Sequence, residues 1–418
     1  MEKIYPYKII SSNDDYTDFR NLEPKMSLPK SEKQMRFNSD LDKCGEVTIP
    51  KIDRDKGKDS DLHIYAQYLN NKQLSFVAFA SNCQFVYRVG PSHGQITFNL
   101  GQLEEKDLSQ KYIFQDILEI IIHEMTHVLG FTQHSIPLWI QSDKSSYAEP
   151  TFRQTLRGID TLFLKTPHVL QFARKYFNCP SLAGVPLENL GGPGSVNSHW
   201  KNTSYFSGFT ANALRDTGFY EEIKESMEEE MFYGKGAGCQ HVTGQCDSNR
   251  NEFCIPSIEK DFCDFSHIGA SNCIAGQFNE PNQCWNIQNM KHSEQPEQVY
   301  GIQYGVDSKC FNSSLIKDEF YVENPRIQGL CYKYNCSSNG QQVTIHVGKQ
   351  KVVCKKNFEH MRVKEYDGHI VCPKNIEQFC KFKKICPNFC SSNGYCLQNK
   401  CVCSKGYFGN DCSLKNPL

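Results

Sequence analysis

The 418-residue chain carries almost no net charge: 46 lysines and arginines stand against 47 aspartates and glutamates. Without a sustained field of one sign it has nothing to hold a polyanion, which excludes nucleic acid as the expected partner. Long hydrophobic runs are missing as well. The most apolar stretch, residues 112–131, contains Asp116, Glu119, His123, Glu124 and His127, so no segment reads as a transmembrane helix. Residues 1–10 (MEKIYPYKII) have no apolar run long enough for a secretory leader. The chain is therefore expected to be a mature form, or the product of a coding sequence lacking its 5′ end. Cysteine is absent before Cys44 and then abundant: of 21 in all, 20 lie from Cys83 onward and 18 from Cys239 onward.

A reducing cytosol would leave those thiols unpaired, whereas secreted and lumenal proteins pair them. Triplets for N-glycosylation at Asn202, Asn312 and Asn335 agree with the secretory route, although such short patterns recur by chance. A cytosolic protein is the plain alternative, and it leaves the cysteine pattern unexplained.

At about 100 to 200 residues per domain, the length suggests two to four domains. Leu62, Ile64, Ala66 and Tyr68 alternate with polar neighbours. Residues 74–80 (LSFVAFA) form a continuous apolar run expected to be buried, and Ile96, Phe98 and Leu100 alternate again, giving three short strands. Residues 112–129 change to helical spacing, with Ile117, Ile121, Met125 and Val128 on one stripe and Gly130 as a C-terminal stop. Further helices are expected over residues 168–176 and over 210–217 (TANALRDT), the latter closed by Gly218. Beyond Gly234 long periodic stretches are few and a cysteine falls about every dozen residues, as in a disulfide-stapled domain. The segment from Cys386 has a spacing of its own.

The helix carries an H-E-x-x-H pattern. His123 and His127 lie one turn apart and project from one face, so both imidazoles can bind a single Zn²⁺. Glu124, beside the first of them, is placed to take a proton from an attacking water. Two surface histidines on a solvated helix would be the bland account. A bare match arises by chance in a chain this long roughly a few per cent of the time, and the demand for a helix followed by glycine makes chance a poorer account still. A peptidase zinc site needs three protein ligands. In the compact pattern a histidine follows the glycine by three residues, but that position is Gln133; His134 is off by one and reads as a loop histidine. The third ligand must come from farther along the chain.

Leu129-Gly130-Phe131 after the helix, residues 191–200 (GGPGSVNSHW) some seventy residues on, and residues 214–220 (LRDTGFY) together resemble leishmanolysin. In that family an insertion splits the metzincin motif, and the third zinc histidine follows a glycine-rich loop of this type. The resemblance makes His199 the third ligand. Residues 44–50 (CGEVTIP) and 78–83 (AFASNC) look like family segments whose cysteines pair, implying a Cys44–Cys83 bond. Residues 94–99 (GQITFN) look like the strand that borders the substrate cleft, where an extended peptide would add. Residues 176–179 and 236–239 look like another paired set, and residues 329–331 and 370–373 match the family's cysteine-rich C-terminal domain. The resemblance spans about residues 44–380.

Two departures stand out. Metzincins place a methionine under the zinc on a turn soon after the third histidine, yet no methionine occurs between His199 and Tyr220; the next is Met227. The chain is shorter here than the family by roughly ten residues, and a loop displaced by a small amount can cost two orders of magnitude in rate. No cysteine precedes Cys44, so this chain shows no internal thiolate of the cysteine-switch kind that keeps leishmanolysins latent. At the other end, Cys386, Cys390, Cys396, Cys401, Cys403 and Cys412, with residues 406–409 (GYFG), resemble an EGF-like module. That resemblance selects Cys386–Cys396, Cys390–Cys401 and Cys403–Cys412 from fifteen pairings. Such a module is expected to be a spacer rather than an adhesive unit, and the fifteen cysteines left over are odd in number.

The expected fold is α+β: a metzincin-type zinc peptidase domain of twisted sheet plus active-site helix, then a disulfide-rich, mostly β or irregular C-terminal domain and a small EGF-like module. The expected division is an extension (1–43), a catalytic subdomain with the zinc helix (44–133), a central subdomain with the third ligand (134–235), a cysteine-rich domain (236–381) and the EGF-like module (386–412). The expected function is a zinc endopeptidase with one catalytic Zn²⁺ on His123, His127 and His199 and Glu124 as general base. Its partners are protein or peptide substrates, with a cell-surface partner for the cysteine-rich and EGF-like regions, and its location is extracellular or at the cell surface. The alternative is an inactive binding or adhesion protein on the same scaffold.

Overall fold

A computed structural model describes residues 42–57, 60–86, 88–104, 106, 108, 111–189, 206–223, 228–245, 261–271, 282–286, 289, 297–320, 322–381, 386, 390–391, 393–397 and 400–416. The chain divides into two compact units, Met1–Gln245 and Cys246–Leu418. Both mix helices with antiparallel strands, and among the described residues both contain disulfides.

In the first unit, β1 (Lys43–Cys44) and β2 (Val47–Thr48) form a small hairpin, followed by α1 (Lys51–Lys56). Strands β3 (His63–Leu69), β4 (Ala78–Val86) and β5 (Gly90–Asn99) form a sheet in the order β3-β5-β4. The β3–β5 pair is parallel and the β4–β5 pair antiparallel. After the short α2 (Leu100–Leu103) comes α3 (Lys111–Val128), which packs on the sheet through Met125 and Val128 against Ile64 and Ile96. Because side chains alternate along a strand, Gly94 shares the face of Ile96. A Cβ on Gly94 would lie 2.4 Å from Val128 Cγ1, so glycine is what lets the helix approach this closely.

The opposite face of the same strands is polar yet covered: His63, Tyr65, His93, Gln95 and Thr97 are all buried, with Asp53 of α1 beside them. The apolar run 74–80 is not the buried strand its composition suggests. Leu74 is 39% exposed, and the strand starts only at Ala78. The preceding residues form a loop because the buried Asn99 amide donates to the carbonyls of Asn71, Leu74 and Phe76 and accepts from the Asn71 N–H.

The rest of this unit is β6 (Thr151–Leu156), β7 (Ile159–Leu164) and β8 (Val185–Pro186) in one antiparallel sheet, with α4 (Pro167–Phe177), α5 (Gly208–Thr217) and α6 (Cys239–Thr243). Pro167 starts α4 where a missing N–H is harmless, and Asn178 ends it in the left-handed conformation. The buried Asp216 of α5 accepts the first α4 amides, from His168 and Val169, tying the two helices together. Gly218 closes α5 at φ +72°, as its position predicts. The Cys44–Cys83 and Cys179–Cys239 disulfides are present.

In the second unit the main feature is a six-stranded antiparallel sheet. In spatial order its strands are Gln350–Cys354, Val343–Val347, Gln328–Cys336, Ser308–Ser313, Ile370–Val371 and His360–Met361. Cystines are built into its core: Cys263–Cys310, Cys284–Cys331, Cys336–Cys380 and Cys354–Cys372. Farther on, Cys390–Cys401 and Cys403–Cys412 follow the EGF pairing, and Cys386 is also disulfide-bonded. The Cys396 side chain lies outside the described residues, as do Cys246, Cys254 and Cys273, so the odd cysteine is not located. Among the described residues no helix is long and apolar enough to cross a membrane.

Candidate metal centre

His123, Glu124 and His127 lie on the last turns of α3. The two imidazoles stand edge to face, with ring centroids 5.0 Å apart and planes at 88°. His127 is 6% exposed, and its Nδ1–H donates to the Phe131 carbonyl at 2.9 Å, a proton position assigned from that partner. This fixes the ring's rotation and makes Nε2 the nitrogen that carries the lone pair, the arrangement that metal-binding histidines adopt.

The chain can turn back in this way because the helix stops at Gly130. Its φ of +104° is open only to glycine, and the Gly130 and Phe131 amides close onto the His127 and Thr126 carbonyls. Helix ends leave carbonyls without intrahelical partners. Here side chains from elsewhere take them: Asn82 of β4 donates to His127 O at 3.2 Å, Tyr220 OH to Leu129 O at 2.8 Å, and Trp139 Nε1 to Gly130 O at 2.9 Å. Trp139 is fully buried, and burial pushes the Tyr220 phenol far above its ordinary range, so it remains a neutral donor. None of these three was expected from the sequence as part of the site. The stretches SNC, IPLW and GFY that carry them give no local sign of which carbonyl they meet.

Glu124 Oε2 accepts the Ala80 N–H of β4 at 3.0 Å. Burial pushes the carboxyl up to about 8, with the Ala80 hydrogen bond opposing the rise. A dication held by the neighbouring imidazoles would draw it back down. Ala80 also locates the open sheet edge. The family resemblance implies that residues 94–99 border the cleft, but β5 is flanked on both sides, by β3 and β4. Among the described strands of this sheet, β4 is the edge beside α3, and the backbone amide that reaches Glu124 belongs to it.

His199, the glycine-rich loop before it and Trp200 fall within 190–205, outside the described residues, and Met227 falls within 224–227, also outside them. The chain is described again at Phe206, which is buried against Leu129, Ala211 and Leu214. Gln133 and His134 are exposed on the loop after α3. Two imidazoles one helical turn apart suit a divalent metal, since the hydrogen bond from His127 Nδ1 to the Phe131 carbonyl already orients one of them.

The chain belongs to the leishmanolysin family: the leishmanolysin model matches residues 22–281, more than half of it. Residues 386–415 match a teneurin-like EGF domain. Relatives include the ciliated left-right organizer metallopeptidase of Xenopus laevis, 28% identical over 79% of this chain and 51% of the relative. Its Danio rerio counterpart is 23% identical over 83% and 60%. The leishmanolysin of Leishmania major is 24% identical over 56% of this chain and 39% of its own. The chain thus spans about half the length of the Xenopus relative. The family is zinc-dependent and acts on proteins; the many disulfides imply the secretory route.

Proposed function

We propose that the chain is a zinc endopeptidase that works outside the cell or at its surface. His123, His127 and His199 would hold one Zn²⁺, and Glu124 is the general base. The observation that carries this reading is the His127 Nδ1–Phe131 O bond, because it sets the imidazole for coordination through Nε2. Bound zinc supplies Lewis acidity that lets water attack a peptide carbonyl near neutral pH.

Glu124 takes the proton of the attacking water and returns it to the leaving amine. The Ala80 amide holds Oε2, so Oε1 is the oxygen that moves the proton. Burial raises the Glu124 carboxyl in the metal-free site, and bound zinc would lower it again toward the ionised form that accepts a proton. An extended polypeptide would add antiparallel to the outer edge of β4, which replaces β5 as the bordering strand. The chain would comprise an extension (1–43), a subdomain with the zinc helix (44–133), one with the third ligand (134–235), a cysteine-rich domain (236–381) and an EGF-like module (386–412) that acts as a spacer.

Zinc content of the purified chain tests the ligand set. The parent should bind one equivalent, and His199→Ala should lose it as fully as His127→Ala does. A His199→Ala chain that holds zinc like the parent would remove His199 from the site.

A further inference from the structure

Along β4 the residues facing α3 are Ala78, Ala80 and Asn82, the last paired with Gly94, whose missing Cβ admits Val128. An asparagine therefore stands where alternation calls for an apolar side chain. Both hydrogens of its amide are used: Nδ2 donates to His127 O at 3.2 Å and to Ser135 Oγ at 3.0 Å.

The second bond returns to the same histidine by another route. Ser135 is 2% exposed, and its Oγ also accepts from Thr132 Oγ1 at 2.9 Å, while its own N–H goes back to Thr132. That turn follows directly on Phe131, whose carbonyl holds His127 Nδ1. Asn82 so touches His127 from both ends, at its backbone directly and at its imidazole through Ser135, Thr132 and Phe131. Two residues earlier on the same strand, Ala80 holds Glu124. One residue later, Cys83 is tied to Cys44, and the ladder to β5 shifts register between Asn82 and Gln84.

We infer that Asn82 is a positioning residue: it locks the metal-binding imidazole of His127 to the strand along which a peptide would add, so that metal affinity depends on a side chain that is not a ligand. The inference rests on His127 being a zinc ligand and is otherwise independent of whether the chain cuts protein.

The test is zinc affinity of the full, disulfide-intact chain, measured by competition with a chromogenic chelator. Asn82→Ala should bind zinc about tenfold more weakly than the parent, the scale on which outer hydrogen bonds tune metal sites. Asn99→Ala is the matched control, because Asn99 is equally hydrogen-bonded on the same sheet, to Asn71, Leu74 and Phe76 of the preceding loop and to Gly101 of α2. It should lower thermal stability and leave zinc affinity within about twofold of the parent. If Asn82→Ala does not fold, Ser135→Ala breaks only the indirect route and should weaken zinc binding severalfold. Parent-like zinc affinity in a folded Asn82→Ala or Ser135→Ala chain overturns the inference and leaves Asn82 a structural residue. Weakened zinc in Asn82→Ala together with a parent that binds zinc but cuts nothing supports the inference while the peptidase reading fails. A parent that binds no zinc overturns both.

Discussion

The two units solve the same problem, keeping an α+β fold closed, by different means. In the first, a helix stripe meets a sheet face, and a second core around Trp139, Leu164 and Phe209 gathers α4 and α5, with two described disulfides over 245 residues. In the second, six described disulfides staple a shorter length of chain, and four of them join the core itself. Apolar packing positions groups to a fraction of an ångström but needs long elements, whereas cystines hold short strands at modest demand on sequence. The candidate metal centre lies in the unit built by packing, as chemistry that depends on geometry requires.

Reduction should separate the two most sharply. At about 2–4 kcal/mol per disulfide, loss of six exceeds the stability of an ordinary domain. Hydrogen exchange of the reduced chain should show residues 308–372 unprotected while α3 stays protected; simultaneous loss in both would mean that the first unit depends on its cystines too. Packing is the point of weakness in the first unit. Gly94→Ala drives a Cβ into the branched, fully buried Val128 and should cost about 1–3 kcal/mol in chemical denaturation.

Acid should strain the polar face of the sheet. Burial holds His93 at about 4, below its ordinary 6.5, with the Asp53 carboxylate opposing the shift. The unfolded chain then binds more protons between those values, so stability present above pH 6.5 is lost as pH falls toward 4. Thermal melts across that window should slope, and His93→Gln should flatten them. Tyr220→Phe removes one partly buried hydrogen bond to Leu129 O and should cost about 1 kcal/mol. His134→Ala, on an exposed loop, should change neither stability nor zinc content.

What could be read in advance was what local period and spacing encode. The stripe Ile117, Ile121, Met125, Val128 and the stop at Gly130 gave α3 and its two histidines, and Gly218 gave the end of α5. Family resemblance supplied Cys44–Cys83 and Cys179–Cys239, and the resemblance to an EGF-like module supplied Cys390–Cys401 and Cys403–Cys412. Strand order was not legible, since pairing of β5 with both neighbours is a long-range choice that alternation alone does not reveal. Nor was the loop before Ala78, where one asparagine, Asn99, overrides an apolar run by claiming its carbonyls. Asn82, Trp139 and Tyr220 escaped for the same reason: a distant donor leaves no mark on the sequence around the carbonyl it meets.

The most direct measurement is cleavage of a general protein substrate by the purified, disulfide-intact chain, with a chelator and Glu124→Gln in parallel. The account predicts cleavage that the chelator stops and that Glu124→Gln lowers by about 10²–10⁴-fold while its zinc content matches the parent. A folded, zinc-loaded parent that leaves the substrate intact, or a Glu124→Gln chain that cuts at the parent rate, would contradict it.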